Sequence, residues 1–177
     1  MTKATSAGIY MKKILLSAFA AGLMLAGTCG AAGGLSAQDY FEIQQLYANY
    51  NIAIDNGDAE GWAATFTPDG VFNTFAGHDA LVGFVNMWRE KLNGATRKHW
   101  NNNLRLSGDG KQASGYVYLI LVDVSTKPPS ILTTATYTDS LIKTKDGWRF
   151  TKRTTKADVA PAAAAATAPP ATAPPAK

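Results

Sequence analysis

The sequence predicts an α+β domain in which three helices pack on one face of a sheet built largely as an antiparallel meander. Two observations carry that expectation. The first half of the domain shows helical periodicity with start and stop signals. From Trp100 to Lys156 the pattern changes to strands separated by the tight turns "SGDGK" and "KDG". No internal repeat interrupts this order, which excludes a solenoid.

Each element has its own local reason. Ser36 followed three residues later by Asp39 is a capping-box start, and the helix it opens runs to about Asn56 and stops at Gly57. Asp58 caps a short second helix over "AEGWAATF". "TPDG" reads as a turn and "VFNTF" as a short strand. Asp79 or His78 opens a third helix, "DALVGFVNMWREKL", which Asn93-Gly94 ends. The strands "WNNNLRL", "SGYVYLILVDV", "ILTTATYTDSLIKT" and "WRFTKRTTK" follow, with the loop "STKPPS" between the second and third.

The ends of the 177-residue chain read differently from its middle. Residues 1–37 form an export-signal region: Lys12-Lys13, an apolar run from Ile14 to Gly27, then small residues. Met11 precedes the lysine pair and is an alternative start. The apolar run is too short for a membrane span. Cys29 raises lipidation as a weaker alternative, because "AGT" before it lacks the usual leucine. Residues 38–158 are the folded domain, and 159–177 an Ala/Pro-rich tail with too little apolar surface to fold. The expected location is therefore periplasmic or extracellular.

Charge excludes one class of partner. The formal net charge is +4, but Lys3, Lys12, Lys13 and Lys177 lie outside the domain, which leaves it with balanced acids and bases. A neutral domain does not track phosphates, so nucleic acid is not expected. The only cysteine falls in the signal region, and the two histidines lie far apart without ligand spacing, so neither a disulfide nor a metal is expected. P-loop, dinucleotide and nucleophile-elbow motifs are absent, and no cofactor is implied.

Some polar residues stand in apolar company. Stepping about 100° per residue along the first helix, Asn51, Gln44 and Asp55 form a polar lane. Ile43, Tyr47 and Ile54 flank it on one side; Phe41, Ala48 and Ile52 flank it on the other. A carboxylate there is either paired or reaches solvent as a cap near Gly57; geometry leaves both open. His99 opens a strand, and alternation puts His99, Asn101, Asn103 and Arg105 on the face opposite Leu104 and Leu106. That is awkward for a histidine facing a cavity. A β-bulge among the asparagines would remove the conflict, as would a partner covering the second face. Asp123 shares a face with Leu119 and Leu121. Asp139 shares one with Tyr137 and Leu141 and reads as half of a structural ion pair. Arg153 falls opposite Phe150.

The phrases "EIQQLYANYNIAIDNGDAEGWAATFTPDGVF", "HWNNNLRL" and "YTDSLIKTKDGWRFTKR" resemble the SnoaL-like domains of the nuclear transport factor 2-like superfamily. The likeness spans about Ala37 to Lys156. It implies a cone of three helices wrapped by a strongly curved antiparallel sheet around a central pocket, and a homodimer. Within the family the phrases look most like hexachlorocyclohexane dehydrochlorinase, and more loosely like the scytalone and bile-acid dehydratases. What that likeness implies is a lyase or isomerase in which Asp55 and His99 form a proton-abstracting dyad and Arg153 steadies the departing anion. Tyr50, Asn103, Asp123 and Tyr137 are the implied substrate contacts, with Phe72, Phe84 and Trp88 as pocket walls. Asp123 stands where the scytalone enzyme has a second histidine, which argues against a scytalone-type substrate. The implied ligand is a small hydrophobic molecule; a non-catalytic binder of such a ligand or a dimeric interaction module are the alternatives.

Overall fold

The computed structural model describes residues 34–159. The expected export signal with Cys29 and the Ala/Pro tail from Ala160 lie outside the described residues. The chain runs α1 (Ala37–Asn56), α2 (Ala59–Ala63), β1 (Phe66–Phe72), β2 (Phe75–Ala76), α3 (His78–Leu92), β3 (Arg97–Gly108), β4 (Gln112–Asp123), β5 (Ser130–Thr144) and β6 (Gly147–Ala157). None of the helices among the described residues is long and apolar enough to cross a membrane.

The helix ends follow the local signals. Ser36 accepts from the Asp39 backbone while the Asp39 carboxylate accepts from Ser36, so both halves of the box are present. Gly57, with φ +68°, closes α1 through its backbone N–H to Ala53 and Ile54. Asp58 caps α2 through Gly61 N–H, and Asn93 adopts the left-handed conformation at the end of α3.

The strands form one open sheet in the order β2-β1-β6-β5-β4-β3. The meander from β3 to β6 is antiparallel throughout, as the turns predict. The sheet as a whole is mixed, because β1 lies parallel to β6. This corrects the all-antiparallel expectation: the partner of β1 arrives some eighty residues later, beyond what local patterning can indicate. The expected strand "VFNTF" is a hairpin whose turn is Asn73-Thr74, and the expected "TPDG" turn is instead an irregular stretch of β1. Register passes there from Phe66↔Phe150 to Val71↔Lys152, so residues 67–70 loop out of the ladder.

The helices lie against one face, and the core is built from Ile43, Tyr50, Trp62, Leu81, Val117, Leu141 and Phe150 among others. Two single-residue bulges decide what else reaches it. On β3 the pairing passes from Asn102↔Tyr118 to Arg105↔Tyr116, one residue more on β3 than on β4. Asn103 absorbs the extra residue with φ +58°. Asparagine tolerates that left-handed conformation far better than a branched residue does. The phase therefore reverses at the asparagines: His99 is buried before the bulge and Leu106 after it, both on the core side. On β6 the pairing passes from Ser140↔Lys152 to Leu141↔Phe150, so Thr151 is the extra residue. Arg153 and Phe150 are consequently both buried, which corrects their expected placement on opposite faces.

The polar lane on α1 has only one apolar wall. Ile43, Tyr47 and Ile54 are buried as expected, and Tyr50 with them, but Phe41 and Ile52 are more than half exposed. The lane borders the core on one side and an open ridge on the other.

Asn103→Val should lower the unfolding free energy by about 1–2 kcal/mol, the cost of forcing a branched residue into the left-handed region. Asn103→Gly should change it by less than about 0.5 kcal/mol. Urea denaturation reads both, and a valine variant as stable as the parent would remove the conformational argument.

Candidate functional site

Asp55 sits in the last turn of α1 and its side chain is turned inward, only 7% exposed. It does not cap the helix. One carboxylate oxygen lies 2.7 Å from His99 Nδ1, and the His99 backbone N–H donates to both oxygens at 3.2 and 3.3 Å. β3 is an edge strand, so that N–H would otherwise have no ladder partner. The same carboxylate thus satisfies the strand edge and orients the imidazole. A carboxylate only accepts, so Nδ1 carries the shared hydrogen and Nε2 is left with its lone pair in the neutral ring. Lys98 brings its ammonium to 3.9 Å from Asp55, a neighbour not foreseen from the sequence. The Trp88 ring lies 6.3 Å from the His99 ring.

Phe84 and Trp88 are four apart on α3 and so share a helical face. Phe84 packs 4.8 Å from Phe72 and 5.4 Å from Trp62, measured between ring centroids. Phe72 also stands 5.3 Å from Trp62, so the three rings form a mutual triangle. These aromatic residues fill a cluster between α2, α3 and β1, with Trp62, absent from the sequence-based site, at its centre.

A second buried assembly lies deeper in the cone. Arg153 is fully buried, and its Nε and Nη2 each donate to Asp139 at 2.7 Å. Asp139 was expected in a structural ion pair and Arg153 in the substrate pocket; the two are partners of each other. Around the guanidinium stand Tyr50, Tyr137 and Phe150, with ring centroids 4.1–4.3 Å from its central carbon. Tyr47 donates its hydroxyl to Asp139. A side chain at Gly115 would run into that hydroxyl, so glycine is required there by close approach. Burial opposes the Arg153 charge, but the Asp139 carboxylate outweighs it and holds Arg153 protonated above its ordinary range. Burial pushes Tyr50 up to about 12 and raises Tyr47 and Tyr137 as well. Among the described residues, Arg153 Nη1 and the Tyr50 hydroxyl have no hydrogen-bond partner although both are buried.

The remaining predicted contacts lie apart from this. Asp123 ends β4 in an ion pair with Arg97 at 2.6 Å and accepts from Ser125. Hydrogen bonds from Ser125, assisted by Arg97, lower its carboxyl from the ordinary range. Asn103 is exposed at the bulge. Two open clefts lie near the pair; Asp55 forms part of the wall of the first, and His99 is in the wall of neither. One, about 640 Å³, lies between the ends of α1 and α3 and includes Asp55 and Arg89. The other, about 440 Å³, follows the seam of α1 and β3 beside Asn51 and Asn101.

The chain is similar to known proteins in sequence and fold. The profile of the SnoaL-like domain matches residues 36–154. An uncharacterized protein of Mycobacterium tuberculosis is 28% identical over 121 residues, covering 65% of this chain and 82% of its own length. A Catenulispora acidiphila protein solved in complex with S-DNPA is 26% identical with TM-score 0.64, over 70% of this chain and 96% of that one. A nuclear transport factor 2-like protein with a cystatin-like fold from Novosphingobium aromaticivorans shares the fold at TM-score 0.65 and 21% identity, over 72% and 86% of the two chains.

The buried tyrosines give a pH dependence. A tyrosine raised in the folded state adds stability that is fully present below the ordinary value near 10 and is lost as pH rises toward the folded value. Unfolding free energy should therefore be insensitive to these groups up to about pH 10 and fall above it. Tyrosinate absorbance from Tyr47, Tyr50 and Tyr137 should grow only together with loss of near-ultraviolet circular dichroism. Ionisation of all tyrosines in a chain that stays folded would contradict their burial.

Proposed function

The chain belongs to the SnoaL-like domain family, and from that premise we propose an exported lyase- or isomerase-type enzyme whose Asp55–His99 pair removes a carbon-bound proton from a hydrophobic substrate. The observation that carries this reading is the 2.7 Å contact between Asp55 and His99 Nδ1, with both side chains almost withdrawn from solvent. Asp55 holds the ring and fixes its tautomer. Nε2 takes the proton from carbon, and the released electron pair forms a double bond. The neighbouring carbon loses either halide or a hydroxyl that leaves as water on taking up the proton held by the imidazolium. In an isomerisation the proton returns to a different carbon instead. A positioned base of this kind contributes about 10²–10⁴-fold.

The role of Arg153 in this reading is narrower than a free pocket arginine. Two of its nitrogens are committed to Asp139. Nη1 and the Tyr50 hydroxyl are uncommitted but fully enclosed, so a role for Arg153 toward a departing anion requires the leaving group to reach the core. A second reading, a non-catalytic binder of an apolar ligand, draws support from the same pairing and from the packing of Phe72 and Phe84 against Trp62. A homodimer is part of both readings; the exposed Trp100, Tyr116, Tyr118 and Leu132 on the sheet support it.

The test needs no knowledge of the natural substrate. Exchange of the α-protons of 1-tetralone in D₂O, followed by proton NMR, reads proton abstraction directly. The chain should accelerate exchange, and Asp55→Asn and His99→Ala should each remove about 10²–10⁴-fold of that acceleration while melting within a few degrees of the parent. Native mass spectra of the same samples should show a dimer. Tetralone retained without exchange would favour the binder, and unfolding of both variants would make the pair structural.

A further inference from the structure

The cleft between α1 and β3 is lined by five carboxamides, Gln44, Asn51, Asn101, Asn102 and Asn103, and by no charged side chain. Tyr47 and Leu104 add apolar surface. Its volume, about 440 Å³, is within the range of small-molecule sites. Two of the amides are fixed by each other: Asn51 Nδ2 donates to Asn101 Oδ1 at 2.7 Å, and Asn101 Nδ2 donates to the Tyr118 carbonyl at 3.2 Å. This leaves Asn51 Oδ1 buried with no donor among the described residues. A buried acceptor without a donor is costly, and because Asn51 lines the cleft, a ligand hydroxyl entering it would supply that donor.

The lining selects by what it contains and lacks. Each carboxamide sets a donor beside an acceptor, which matches a hydroxyl that donates once and accepts as well. A carboxylate or phosphate would find no cation here, and an ammonium no anion. The apolar patches suit the C–H face of a ring. We propose that this seam is a binding site for a neutral, polyhydroxylated ring such as a sugar, separate from the Asp55–His99 pair. The ring is either a free saccharide or the glycosyl unit of a larger molecule. The fold supports such a site because Asn101 shares the α1-facing phase of His99 and meets Asn51, while Asn102 and Asn103 stay exposed beside it at the bulge.

Titration of the full chain with methyl α-D-glucopyranoside, followed through the side-chain NH₂ resonances in ¹⁵N-edited NMR, tests this. The resonances of Asn51, Asn101 and Gln44 should shift in a saturable way. Gln44→Met and Asn51→Leu should each raise the dissociation constant at least fivefold, with backbone spectra otherwise unchanged. Cyclohexanecarboxylate, a charged ring without the hydroxyl array, should not compete. p-Nitrophenyl β-D-glucopyranoside binding at least tenfold tighter than the methyl glycoside would identify a glycosyl unit of a larger molecule; equal binding would identify a free saccharide. Amide resonances that stay unmoved at 50 millimolar probe (roughly the weak limit for a single ring), or shifts that the two variants leave intact, would overturn the site and assign the amides to fixing the strand edge. Because the readout is binding, it is independent of whether the Asp55–His99 pair is catalytic.

Discussion

A strand presents its side chains alternately to two faces, so one extra residue turns over everything that follows it. This sheet uses that constraint beside each of its two buried polar pairs. The bulge at Asn103 lets His99 face α1 while Leu104 and Leu106 still pack inward. The bulge at Thr151 lets Phe150 fill the core while Arg153 enters it from the same strand. Without the first, His99 and the leucines could not share a face and the contact with Asp55 would be lost. Without the second, Asp139 would be a buried carboxylate with no cation beside it, which is costly enough to be incompatible with its position. Both buried polar pairs depend on these two local departures from regular pairing.

The two pairs differ in how they are held. Asp139 and Arg153 form a fork enclosed by aromatic rings and closed by the Tyr47 hydroxyl, with no solvent exposure. Every Asp139 oxygen and two of the three Arg153 nitrogens are engaged, so the assembly is a fixed part of the core. Asp55 and His99 sit at the margin, between two open clefts and within reach of the half-exposed Lys98. One ring nitrogen of His99 is committed to Asp55 and the other is not. That asymmetry is what a proton-transfer site needs and what a structural pair does not.

The parts of the fold governed by neighbours in sequence were legible. Ser36 and Asp39, Asp58, Gly57 and Asn93 mark helix ends by local hydrogen bonding or backbone conformation, and the structure places the ends there. Asp55 was legible as a carboxylate with few options, because helical geometry alone sets it beside the buried stripe. What escaped was long-range. The parallel contact of β1 with β6 has no local signature. Nor does the extra residue on β6, since Thr151 is an ordinary strand residue; straight alternation put Arg153 on the wrong face. On β3 the asparagine run carried a signal, the tolerance of Asn103 for the left-handed region, and the conflict it resolves could be stated before the structure was known. The engagement of Arg153 by Asp139 followed from neither residue alone.

The site depends on His99 directing Nδ1 to Asp55. The chain has only His78 and His99, and only His99 is buried, so ¹⁵N-histidine labelling reports on it with little ambiguity. Proton NMR should show one ring N–H of His99, displaced far downfield, slow to exchange with water, coupled to Nδ1, and abolished by Asp55→Asn. A His99 ring whose Nδ1 proton exchanges as fast as that of His78, or one unaffected by Asp55→Asn, would contradict it.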